Sequence, residues 1–326
     1  MNKRIKILIN YFLGPLLFIV LSWSLYRQTM SQPGLQQHWA QIKSSWRNWE
    51  FWLAIFLMLA NWGIEARKWQ LLMKHLQRFS FFTAFKAVLS GCSVTMLTPN
   101  RVGEYGGRIL YVEEGNRIKA ISLTIIGSIS QLLVTMLVGC AGLIFLRFFS
   151  SSNTNALTAL PELWGNLLLY LSVCVTVVLL LFYFRLGLLV KVIGKIRVLS
   201  KYIQPVQVLN GFNNKQLASI LLLSFIRYLV FVLQYVLLLQ AMQVAIGGWL
   251  CFWLISVFYW AMAILPTLGF IELPLRVKAS WAILKFYTAN ELGVGAAALG
   301  IWVANLVAPA IIGSLLILSI KIMKEK

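Results

Sequence analysis

Glu104 and Arg108 stand four residues apart in T-P-N-R-V-G-E-Y-G-G-R, and Glu272 and Arg276 repeat that step in L-P-T-L-G-F-I-E-L-P-L-R. On a helix the step places both side chains on one face, where the charges can pair. Each pair follows a proline and a glycine, Pro99 with Gly103 and Pro266 with Gly269. A helix broken there frees backbone amides and carbonyls, and hydrocarbon penalises each unpaired group by several kcal/mol, so the break must face protein or a wet cavity. A freed helix N-terminus accepts phosphate. The guanidinium forks of Arg101, Arg108 and Arg276 match phosphate oxygens better than Lys does. Glu104 and Glu272 can hold those arginines in place or take the amine of a headgroup.

Arg227, in S-F-I-R-Y-L-V-F, is the one basic residue well inside an apolar run. At a span centre an Arg costs roughly 2.5–3.5 kcal/mol, so it must face the interior and find a partner, for which Glu272 or Glu104 is the expectation. Asn61, Glu65, Gln131, Gln234 and Asn305 are further polar residues expected to line the interior. The plain structural reading makes the breaks helix kinks and the Glu–Arg pairs buried ties. Occurrence of the motif twice, at equivalent places, favours a binding site.

These residues sit in a chain that is 60% hydrophobic and 12% charged, with apolar runs of membrane-spanning length throughout. Its 326 residues leave room for a single membrane domain and no separate soluble enzyme. The net charge of +20 would suggest nucleic acid in a soluble protein. Here the basic residues lie between apolar runs, where they set topology and attract anionic lipid. All nine acids are Glu. Cys92, Cys140, Cys174 and Cys251 show no ligand or disulfide spacing. No nucleotide motif is present, and no cofactor or metal is expected.

The fold expected is an all-α polytopic membrane protein with about six full spans and two re-entrant hairpins in an inverted-topology repeat. Spans are read near residues 5–25, 51–66, 121–146, 163–184, 216–242 and 298–320. The first is read as a retained span rather than a signal peptide. Residues 81–119 and 247–286 are the hairpins, entering from the cytoplasmic and the external side respectively. With both of them re-entrant, most Lys and Arg fall on the cytoplasmic side, as do both termini. Residues 1–150 form the first half and 160–326 the second, each running span, span, hairpin, span. Three crossings per half invert the second half, the arrangement that brings broken helices together near the midplane. Residues 185–215 alternate basic and apolar side chains and suit either an amphipathic surface helix or an ordinary loop. Trp39, Trp46, Trp49 and Trp52 read as an interfacial belt.

T-P-N-R-V-G-E with a following Arg resembles the signature of the lysylphosphatidylglycerol synthase membrane region, also called the flippase-like domain family. R-K-W-Q-L-L at residues 67–72 and P-T-L-G-F-I-E at 266–272 resemble that family's other motifs. The resemblance extends over nearly the whole chain. It implies a domain that moves phospholipids or related lipids between leaflets, and it points to Pro99, Arg101, Gly103, Glu104, Arg108, Pro266, Gly269 and Glu272. Two departures stand out: Lys68 separates Arg67 from Trp69, and Phe270 and Pro274 alter the late motif. The soluble aminoacyl-transferase domain of some relatives is missing, so the chain is not expected to be an enzyme.

The leading expectation is therefore a lipid flippase or scramblase of a bacterial inner membrane, with headgroup contacts from Arg101, Glu104, Arg108, Arg227, Glu272 and Arg276. Its partners would be anionic or zwitterionic phospholipid, and a homodimer or partner enzyme stays open. A membrane glycosyltransferase using polyprenyl-phosphate sugars is the enzymatic alternative, with Glu50 and Glu291 as its candidate external acids. A transporter of small amphiphiles is the third reading.

Overall fold

The computed structural model describes residues 42–95, 98, 102–149, 161–186, 207–265 and 272–324, with Trp23 and Ala40 besides. The expected first span, the polar loop between the halves, most of residues 185–215, and Pro99, Arg101, Pro266 and Gly269 lie outside the described residues. Regular structure among the described residues is helical, with no strand.

Helix α1 covers Trp49–Met73, α2 Phe81–Thr95 and α3 Gly103–Arg108. Helix α4 covers Arg117–Phe148 and α5 Glu162–Phe184. Helix α6 covers Asn214–Ala241, α7 Gly248–Ile264 and α8 Glu272–Leu284. Helix α9, Glu291–Trp302, runs through a π-helical segment, Val303–Val307, into α10, Ala308–Lys324.

Among the described residues, four helical stretches are long and apolar enough to cross a membrane: Glu114–Phe148, Glu162–Phe184, Asn214–Ala241 and Glu291–Ile320. Helix α1, at 25 residues, has the length but carries Glu50, Glu65, Arg67 and Lys68. Helices α2 and α7 hold 15 and 17 residues. At about 1.5 Å per residue both fall short of the roughly 30 Å hydrocarbon layer. The apolar side chains of α5 face outward in numbers no soluble core would leave bare: Leu163, Leu167, Tyr170, Leu171 and Leu181 are all exposed. The chain is an integral membrane protein.

Helix α1 packs along α6. Helix α2 lies against α1, α3 and α10, while α7 lies against α6, α8 and α4. Close approach of α2 and α3 depends on missing side chains. A Cβ on Gly107 would stand 2.3 Å from the Ser90 carbonyl oxygen, and one on Gly103 2.3 Å from that of Val94. Thr98 Oγ1 accepts from the Gly103 amide at 2.7 Å, which satisfies one of the free donors at the start of α3.

Polar residues on α1 follow the helical period. Asn61, Glu65, Lys68, Trp69 and Leu72 share one buried face, spaced by four, three, one and three residues. On α6, Ser224, Arg227, Phe231 and Gln234 recur at the same spacing. The π segment has a local cause in Pro309, which lacks the amide that would bond to the Asn305 carbonyl and whose ring crowds that oxygen.

Candidate functional site

The site is organised by one carboxylate. Glu65 Oε2 pairs with Lys68 Nζ at 2.7 Å and with Arg227 Nη1 at 2.8 Å, while its Oε1 pairs with Arg108 Nη2 at 2.8 Å. Arg108 Nη2 also pairs with Glu104, one turn back on α3. Helix α1, the short helix α3 and helix α6 thus meet at a cluster of three cations and two carboxylates. Burial in the bundle leaves Lys68 at 1%, Arg108 at 2% and Glu65 at 4% exposed. The side chains of Glu104 and Arg227 are more open, at 25% and 18%. One cluster donor, Arg108 Nε, is buried and has no hydrogen-bond acceptor among the described residues.

Amides extend the cluster along α6. Arg227 Nε donates to Asn61 Oδ1 at 2.7 Å, and Asn61 Nδ2 donates to Asn305 Oδ1 at 2.6 Å. Asn305 Nδ2 donates to Gln234 Oε1 at 3.2 Å, and Gln234 Nε2 ends the chain on the Ala54 carbonyl at 2.9 Å. Gln131 on α4 accepts from Arg227 Nη1 at 3.4 Å. The Arg227 guanidinium also lies 5.0 Å from the Phe231 ring centroid, a cation–π contact. Asn305 reaches both partners from the π segment, a type of helix distortion common at functional sites.

The sequence-derived residues divide in two. Glu104, Arg108 and Arg227 converge on Glu65, whereas Glu272 and Arg276 make their own pair on α8. There Arg276 Nε and Nη2 both donate to Glu272 Oε1, at 3.0 and 2.9 Å. That pair reaches α6 elsewhere, since Ser280 Oγ donates to the Arg276 carbonyl and is hydrogen-bonded to Tyr235. Tyr235 is eight residues past Arg227, about 12 Å along the helix at about 1.5 Å per residue.

One expectation needs correction. The carboxylate partner of Arg227 is Glu65, not Glu104 or Glu272, because α1 and α6 pack along their lengths and bring positions 65 and 227 level. Within the R-K-W run Arg67 is exposed, and its Nη1 bonds the half-buried Gln70 side chain. Lys68, read as an interruption, is the buried cation beside Trp69, and its Nζ also donates to the Gly127 carbonyl at 3.3 Å. The missed signal was a helical step, since 61, 65 and 68 share a face and 67 does not. Of the two external acids considered, Glu50 lies in the first turn of α1 and Glu291 is buried in the first turn of α9.

The described residues thus form a helical membrane bundle with a buried, predominantly basic cluster beside the α2–α3 pair. Residues 11–271 match the family described as Lysylphosphatidylglycerol synthase TM region, and the chain belongs to that family. No curated protein and no solved structure matches it.

Proposed function

We propose that this chain moves a phospholipid, or a related lipid with a charged headgroup, between leaflets without chemically altering it. The observation that carries the reading is the Glu65-centred cluster. Three cations gathered in an apolar bundle, Lys68 and Arg108 buried and Arg227 half-buried, cost free energy that a structural tie made of fewer charges would avoid. The guanidinium groups of Arg108 and Arg227 have the chemistry for phosphate, and acyl chains would remain in the surrounding bilayer. Family membership supports a lipid-related role.

On this reading the two halves form an inverted repeat, with α2–α3 and α7–α8 as re-entrant hairpins. The pattern of contacts supports it: α2 packs on the last helix of the second half, α7 packs on the last helix of the first, and the second spans, α1 and α6, pack on each other. Rocking of one half against the other would then expose the headgroup site to each leaflet in turn. Both termini would lie in the cytoplasm of a bacterial cell, with the lipid gradient, membrane potential or an ion as driving force.

Leaflet exchange of fluorescent anionic and zwitterionic phospholipids in reconstituted vesicles tests the reading. Wild type is expected to exchange lipid, while Glu104→Gln and Arg108→Ala abolish exchange and still insert. Full exchange by both variants would sink the site assignment. Absence of exchange for any lipid by correctly inserted wild type would sink lipid translocation and favour a polyprenyl-linked or small amphiphilic substrate.

A further inference from the structure

The cluster's charge count leads to its substrate class, an inference that rests on the headgroup-site reading above. Among the described residues, Lys68, Arg108 and Arg227 face Glu65 and Glu104, which leaves one positive charge. In a buried site of low effective dielectric an unbalanced charge is costly, and the ligand that brings the total to zero is favoured over one that overshoots or falls short. The hydrogen-bond inventory agrees. Arg108 serves both carboxylates through a single nitrogen, Nη2, while its buried Nε has no acceptor among the described residues. Its two-pronged face is therefore not matched by the carboxylates, and a phosphate oxygen could take the spare donor. Arg227 is the more exposed of the two arginines and would meet a ligand first.

We infer that Glu65 sets the charge selectivity of the site, so that it takes a phosphodiester headgroup of net charge −1, whose phosphate competes with Glu65 for Arg108 and Arg227. Lys68 then has a defined part. It keeps Glu65 ionised and paired when the arginines turn to phosphate, because its 2.7 Å contact lies within α1 and need not break. A zwitterionic lipid would leave the site positive, and a phosphomonoester dianion would leave it negative.

The rule predicts a charge ladder. Glu65→Gln raises the cluster by one positive charge, Lys68→Met lowers it by one, and the double variant restores the wild-type total. Binding to the detergent-purified full chain would be followed by ligand-induced thermal stabilisation at about pH 8, where a phosphomonoester is a dianion. The probes are short-chain phosphatidylglycerol, phosphatidylcholine and phosphatidic acid. Wild type and the double variant should prefer phosphatidylglycerol by about tenfold or more, the equivalent of about 1.4 kcal/mol. Glu65→Gln should shift preference to phosphatidic acid and Lys68→Met to phosphatidylcholine. Should Glu65→Gln fail to fold, the Lys68→Met and double variants still decide.

One lipid order shared by all folded variants, or no order in wild type, would overturn the inference. Glycerophosphoglycerol, the headgroup without acyl chains, identifies the source of the phosphodiester. Weak binding of it supports a lipid, and binding as tight as the lipid's keeps the charge rule but assigns a soluble ligand. Charge-ordered binding without leaflet exchange would refute translocation and leave the charge rule standing. Exchange without charge-ordered binding would do the reverse.

Discussion

Gly106 and Gly107 are neighbours in the first motif, yet alanine should have opposite effects at the two positions. At Gly107 the added Cβ would stand 2.3 Å from the Ser90 carbonyl oxygen and 2.6 Å from Gly91 Cα, both backbone atoms of α2 that cannot swing aside. Relief to even 3.0 Å needs α3 to move from α2 by about 0.7 Å, the difference between these distances. Overpacking of this kind costs about 1–3 kcal/mol. The shift also falls on the residue next to Arg108, whose 2.8 Å contact with Glu65 would lengthen towards 3.5 Å. Misplacement near 1 Å can cost about a hundredfold in rate, so lipid exchange should fall more than stability does. At Gly106 the nearest atom to a new Cβ is Val94 Cγ1 at 3.9 Å, an ordinary contact. Gly106→Ala should therefore be neutral, or stabilising by up to about 1 kcal/mol through helix propensity. Thermal unfolding in detergent and leaflet exchange in vesicles measure the two quantities. Wild-type stability and exchange in Gly107→Ala would refute the close α2–α3 contact and the argument that it aims Arg108.

Three further outcomes are expected. Arg67→Ala should leave thermal stability unchanged because Arg67 and its hydrogen bond to Gln70 are exposed, whereas Lys68→Ala should cost about 1–3 kcal/mol; Glu65 keeps both arginines, so the loss stays below that of an orphaned charge. Asn305→Ala removes the group joining Asn61 to Gln234 and should destabilise by about 1–3 kcal/mol, measured by thermal unfolding. Gly313→Ala would place a Cβ 2.0 Å from the Leu89 carbonyl oxygen and should loosen α10 from α2, seen as faster amide exchange across residues 81–95.

Composition alone made this a helical membrane protein, because a chain that is 60% hydrophobic with recurrent apolar runs has few other ways to satisfy its backbone in lipid. The four-residue step also foretold the Glu104–Arg108 and Glu272–Arg276 pairs, since both partners lie on one helix and the step fixes their face. Asn61, Glu65, Gln131, Gln234 and Asn305 were legible as interior residues from their apolar surroundings. What they touch was not. The contacts of Asn61 with Asn305 and of Arg227 with Glu65 join residues more than a hundred positions apart, and local periodicity carries no register between helices. Only the packing of α1 along α6, with α3 held against α2 by bare glycine backbone, decided that Glu65 rather than either motif glutamate gathers the three cations. Helical spacing gives each side chain its face, and tertiary packing gives it a partner.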